Sequence, residues 1–219
     1  MKKLSFAIAA LSLATSAAFV STSATAEVSA NAAVTNNYLW RGLEQTGGET
    51  AVSGGIDYSN ESGFYAGTWA SNAFTGTELD LYAGFSADIN ETTSYDVGFI
   101  YYAYPDIDDS DFSEIYGSIT FTGLTLGAAI LTSSEDLDFG DSVYLTADYA
   151  ITLSNEAEVN FHIGNYSGDF AGNDSTDIGV SISKDNFTFG VSKVEFSDDV
   201  TDNSDDMKFY VSYAVDIAM

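Results

Sequence analysis

The chain is 219 residues long, with a formal net charge of −27, a single proline and no cysteine. No disulfide framework or Cys-ligated metal site is therefore available. With 33 acidic residues against six Lys and Arg, it lacks the basic footprint that nucleic-acid binding needs, and an aromatic content of 14% in regular patterns excludes disorder.

Residues 1–26 read as a cleaved signal peptide. Lys2 and Lys3 form a basic start, Leu4 to Val20 an apolar stretch, and Ala24-Thr25-Ala26 a small-x-small cleavage site before Glu27. The remainder, 27–219, reads as one exported domain. No apolar run in it approaches the ~20 residues of a transmembrane helix, so any membrane location has to be built from β-structure.

Twelve β-patterned segments follow, at 28–40, 51–58, 63–71, 77–89, 94–104, 112–122, 124–132, 142–153, 157–165, 176–184, 186–196 and 207–218. Alternation is plain in most of them, as in Leu79, Leu81, Ala83, Phe85, Ala87 and Ile89 against Glu78, Asp80, Tyr82, Gly84, Ser86 and Asp88. The links between segments alternate short and long, and about half of the acidic residues lie on the long ones. Pro105 stands where a strand must end, because proline cannot donate to a ladder.

Soluble antiparallel sheets also alternate apolar and polar residues, so charge and aromatic placement carry the discrimination. The apolar faces of segments four to ten and twelve hold no charge short of Lys184 at the last position of the tenth, whereas Glu78, Asp80, Asp96, Glu114, Asp148, Glu158 and Asp177 all fall on the opposite faces. Tyr38, Trp40, Trp69, Tyr101, Tyr102 and Tyr104 gather near the long-link ends, where an interfacial aromatic girdle would sit. The expected fold is all-β: a closed antiparallel transmembrane β-barrel of twelve strands, with short periplasmic turns and longer acidic extracellular loops.

Several strings match a family. Tyr38-Leu39-Trp40-Arg41-Gly42-Leu43 with Gln45-Thr46, Gly54-Gly55-Ile56-Asp57-Tyr58 and the run Gly63 to Asn72 lead. Glu78 to Gly84, Tyr101-Tyr102-Ala103-Tyr104-Pro105 and Glu114-Ile115-Tyr116 follow. Together they resemble the first half of the Gcw_chp proteins, the TorF family of porins. The resemblance implies an outer-membrane barrel with no established catalytic residues or substrate. Two features depart from the family pattern: Thr50-Ala51 where a proline is usual, and a C-terminal Met219 where outer-membrane barrels commonly end in an aromatic.

Glu78, Asp80, Tyr82, Asp96, Glu114, Asp148, Glu158 and His162 are the candidate lumen-lining residues. Glu78 and Asp80, two apart on one strand, stand roughly 7 Å from each other. They either attract cations or belong to a polar network filling a narrow barrel. Arg41, the only arginine, suits bidentate carboxylate pairing with an acid at the barrel mouth, Glu78 or Glu114. It would either pin the first long loop inward as a constriction or form a rim salt bridge of little energetic value. His162 is the only histidine; no GxSxG or HExxH string accompanies it, and no enzymatic activity is expected.

The acidic stretches Asp106 to Asp111, Ser134 to Asp136 and Ser197 to Asp199 offer oxygen ligands for loose Ca²⁺ or Mg²⁺ binding, as does Gly172 to Asp174, without a dedicated metal site. No cofactor is expected. The reading is a porin-like barrel in the outer membrane of a Gram-negative bacterium, passing small solutes with a preference for cations. Lipid and lipopolysaccharide are its expected partners. The alternative is a plugged structural or surface-interaction barrel whose loops bind divalent cations or lipopolysaccharide.

Overall fold

The computed structural model describes residues 26–73, 76–168, 174–197 and 205–219. The expected signal peptide, through residue 25, lies outside the described residues, as do Gly172, Asn173, Asp198 and Asp199. The strands are β1 (Glu27–Thr35), β2 (Leu39–Trp40), β3 (Leu43–Glu44), β4 (Ala51–Ser59), β5 (Phe64–Ala73), β6 (Gly76–Asn90) and β7 (Thr93–Ala103). After them come β8 (Phe112–Phe121), β9 (Leu124–Ser133), β10 (Ser142–Thr152), β11 (Glu158–Gly168), β12 (Ser175–Lys184), β13 (Phe187–Phe196) and β14 (Lys208–Ala218).

Twelve of these, β1 and β4 to β14, pair antiparallel in sequence order, and β1 closes on β14 to complete a barrel. Closure leaves no edge strand, so every ladder is paired. No helix of the described residues is long and apolar enough to cross a membrane. Tight connections at 60–63, 91–92, 122–123, 153–157 and 185–186 lie at one end, with the start of β1 and the end of β14. The longer connections 36–50, 104–111 and 134–141 lie at the other.

Alternation sends one face of each strand outward, and that face is apolar. Val52 (64% exposed), Leu145 (53%) and Phe161 (48%) represent a band of aliphatic and aromatic side chains that runs round the barrel. A contiguous exposed apolar surface of this extent needs a non-aqueous partner. The outward exceptions are two: Lys184, at the short-turn end of β12 on an otherwise uncharged face, and Lys193 with Glu195 on β13, paired at 2.7 Å near the long-loop end.

The aromatic girdle differs from its expected membership. Tyr38, Trp40 and Tyr102 are buried within the barrel, Trp69 meets Tyr38 edge-on at 5.7 Å, and Tyr104 stacks on Phe112. Of the expected set, Tyr101 alone faces outward, opposite Leu81. The first strand ends at Thr35 rather than continuing to residue 40, so the rings of Tyr38 and Trp40 turn back into the interior, where apolar surface is buried. A belt of outward aromatics does exist, at the opposite, short-turn end. Tyr58 lies beside Phe64, Phe85 beside Tyr95, and Phe187 beside Tyr213.

Candidate functional site

The interior is organised by the segment between β1 and β4. Strands β2 and β3 form a two-residue hairpin inside the barrel, in which Leu39 pairs with Glu44 and Trp40 with Leu43. Its tip, Arg41-Gly42, has positive φ at both residues (51° and 77°), as a tight primed turn requires. Glycine is needed at the second position for space as well, because a Cβ on Gly42 would lie 2.8 Å from that of Asp177 on β12. The hairpin base is tied by Gln45 N–H to the Tyr38 carbonyl at 2.8 Å and by Asn37 Nδ2 to Glu44 Oε1 at 2.7 Å.

From that tip the Arg41 guanidinium reaches the far wall. Its Nη2 donates to both carboxylate oxygens of Glu114 on β8, at 2.8 and 2.6 Å. The rings of Trp40 and Tyr144 lie 4.2 and 4.4 Å from its central carbon, a cation–π cage. Burial works against the charge on Arg41, but Glu114 more than offsets it, and the guanidinium is held more firmly protonated than usual. Glu114 is thus the partner, and the hairpin spans the barrel from β1 to β8, with β12 and β13 against its tip.

One side of the hairpin is filled. Tyr38, Trp40, Ile100, Tyr102, Phe112 and Leu131 make an apolar cluster inside the barrel. At its margin the Tyr38 hydroxyl donates to Glu78 Oε1 at 2.9 Å. Burial, and then the carboxylates of Glu78 and Asp80, push the Tyr38 phenol well above its ordinary range, which keeps it a donor.

The other side is polar and holds a cavity of about 60 Å³, bounded by Asn37, Arg41, Asn160, His162, Asp177, Ser181, Ser192 and Tyr210, among others. His162 stands at its edge between two carboxylates: Nδ1 lies 2.8 Å from Asp148 and Nε2 2.7 Å from Asp177. Tyr144 also donates to Asp177, at 2.9 Å. With each ring nitrogen facing a carboxylate, His162 has no free nitrogen to act as a general base.

The remaining expected lining residues also face inward. Tyr82 donates to Asp57, and Asp96 accepts from Tyr65 at 2.6 Å. Glu158 is exposed at the short-turn end of β11. Among the described residues no group of three or more His, Cys, Asp or Glu converges as metal ligands.

Sequence reasoning missed the inward tyrosines as a set. At Gly67, Gly84, Gly98, Gly164 and Gly190 an added Cβ would collide with Tyr82, Tyr65, Tyr116, Tyr144 and Tyr210, respectively, each on a neighbouring strand. Each ring lies over a bare patch of backbone, the aromatic–glycine pairing of sheets. The tyrosines therefore coat the wall, and the hydroxyls of Tyr65, Tyr82, Tyr116 and Tyr144 join the carboxylate network. The signal, a tyrosine directly or diagonally across a ladder from glycine, is readable only once register is known.

The family described as "Bacterial protein of unknown function (Gcw_chp)" matches residues 19–217. No curated protein matches the chain. Among solved structures, the KdgM porin is similar, with a TM-score of 0.53 at 10% identity over 89% of this chain and 99% of that one. The KdgM porin in complex with disordered oligogalacturonate gives 0.54 at 10% identity, with the same coverage. A structure from work on the in-meso crystallization of membrane proteins gives 0.58 at 9% identity, over 88% of this chain and 84% of the other. At these identities the likeness is one of fold.

Proposed function

The chain belongs to the Gcw_chp family, and from that premise we propose that it is an outer-membrane barrel admitting small solutes, with a preference for cations, past a constriction made by the Leu39–Glu44 hairpin. The observation that carries this reading is the division of charge between the two faces of one wall. Outward faces expose aliphatic and aromatic side chains, whereas the inward network contains Asp57, Glu78, Asp80, Asp96, Glu114, Asp148 and Asp177. A charge at mid-membrane on the lipid face costs about 2–4 kcal/mol, less for acids, so carboxylates belong on the water side of such a wall. Longer acidic loops at one end and tight turns at the other match the extracellular and periplasmic ends of outer-membrane barrels.

The remaining route for a solute runs along β11 to β14, through the polar cavity rather than the apolar cluster. Carboxylates in a confined, low-dielectric lumen concentrate cations and repel anions. KdgM was solved with oligogalacturonate, a polyanion; this acidic interior favours the opposite charge. Bilayer recordings of the purified barrel under a KCl gradient test the proposal. A small cation-selective conductance is expected, and clear anion selectivity would sink it.

A second reading is favoured by the apolar cluster itself: the hairpin closes the barrel, and the acidic loops bind divalent cations or lipopolysaccharide without transport. Asp106, Asp108, Asp109, Glu135 and Asp136 are exposed on two successive long loops. A silent wild-type barrel that conducts once residues 38–46 are replaced by a short Gly-Ser linker would favour this second reading.

A further inference from the structure

Glu78 and Asp80 occupy successive inward positions at the long-loop end of β6, where they are 1% and 4% exposed. Tyr38 donates to Glu78 Oε1 at 2.9 Å, and the Tyr104 hydroxyl also interacts with Glu78. Yet Glu78 Oε2 and Asp80 Oδ1 are sealed from solvent and receive no hydrogen bond. Trp69 and Tyr102 flank Asp80 directly across the β5 and β7 ladders. Two carboxyl groups are thus enclosed by aromatic rings, without a basic neighbour.

The cationic side chains among the described residues are all placed elsewhere. Arg41 is on Glu114, and His162 lies between Asp148 and Asp177. Lys193 is on Glu195 at the outer face. Lys184 is exposed at the end of β12, and Lys208 lies on β14, separated from β6 by β5, β4 and β1. An uncompensated buried charge costs several kcal/mol, and two side by side repel as well, so this pair calls for a counter-charge from outside the chain.

We propose that Glu78 and Asp80, with the phenol oxygens of Tyr38 and Tyr104, bind one divalent hard cation, calcium being the best match. The donors are all oxygen, which suits a hard ion, and two carboxylates balance a charge of two. Calcium tolerates irregular oxygen geometry, whereas magnesium demands a near-octahedral shell and gives up its waters reluctantly, a poor fit to a sealed site. Through Tyr38 the ion ties β6 to the base of the inserted hairpin. This site is separate from the exposed loop acids.

The test uses the full chain, folded in detergent and stripped with EDTA, with Tb³⁺ as probe. Excitation of Trp69 and the neighbouring tyrosines should sensitise Tb³⁺ emission, and Ca²⁺ should displace it. Asp80→Asn and Glu78→Gln should each weaken that emission at least tenfold, while a loop variant, Asp108→Asn with Asp109→Asn, retains it. Ca²⁺ should raise the unfolding temperature of the wild type and leave the Glu78→Gln/Asp80→Asn barrel unmoved. Heat-modifiable gel migration confirms that each variant is folded. Absence of sensitised emission, or its survival in the double variant, overturns the proposal and leaves the pair neutralised by protons. Because the readout is ion binding rather than conductance, it is decided independently of the transport reading.

Discussion

Arg41 concentrates most of the interior's electrostatics in one side chain. Its guanidinium is buried, cage-bound and paired with a buried Glu114. Truncating one partner strands the other charge, which typically costs about 3–5 kcal/mol. Arg41→Met should therefore lower the unfolding free energy of the barrel by about that amount. Arg41→Met combined with Glu114→Gln should recover much of the loss, which a double-mutant cycle in denaturant would measure. Gly42→Ala tests the tip differently. A methyl group pressed against Asp177 in a positive-φ turn should cost about 1–3 kcal/mol and lift the hairpin, increasing its cleavage by an added protease. On the outer wall, Leu145→Arg places a charge in the apolar band and should cost about 2–4 kcal/mol on folding into bilayers.

Among the elements, the barrel strands were largely legible because their alternation is local and strict. Leu79 to Ile89 assigns both faces of β6 with no tertiary information, and the tight links announce antiparallel neighbours. The hairpin was not legible in the same way. Tyr38 and Trp40 continue the apolar rhythm of the first segment, and a local pattern cannot distinguish a ring facing lipid from one folded back into a lumen. Arg41-Gly42 between strand-like flanks was the available hint, since a two-residue turn with glycine second is a hairpin signal. The pairing of Arg41 with a carboxylate was legible from its scarcity, whereas the choice of Glu114 over Glu78 rests on the depth to which the tip descends. The Tyr–Gly pairs required register, as Tyr82 and Gly67 are brought together only by the β5–β6 ladder. Removing the whole hairpin, by contrast with point changes at its tip, should raise single-channel conductance severalfold while leaving heat-modifiable migration intact.

For the whole molecule, the acidic interior and acidic loops produce a field whose reach depends on salt. The Debye length shrinks from about 10 Å at 0.1 M to about 3 Å at 1 M, so the proposed cation selectivity, read from reversal potentials, should decline across that range. The barrel also imposes an order on its own assembly. Arg41 meets Glu114 across 73 positions in sequence, and Gly42 lies against Asp177 and Val194, on strands made long after it. Strand β1, which carries the hairpin inward, pairs with β14, the last to be made. The hairpin cannot seat until nearly the entire chain is in place, so sealing the wall and filling its interior are late, coupled events. Such long-range contacts fold slowly, and until they form, the Tyr38 and Trp40 rings, buried in the finished barrel, remain uncovered.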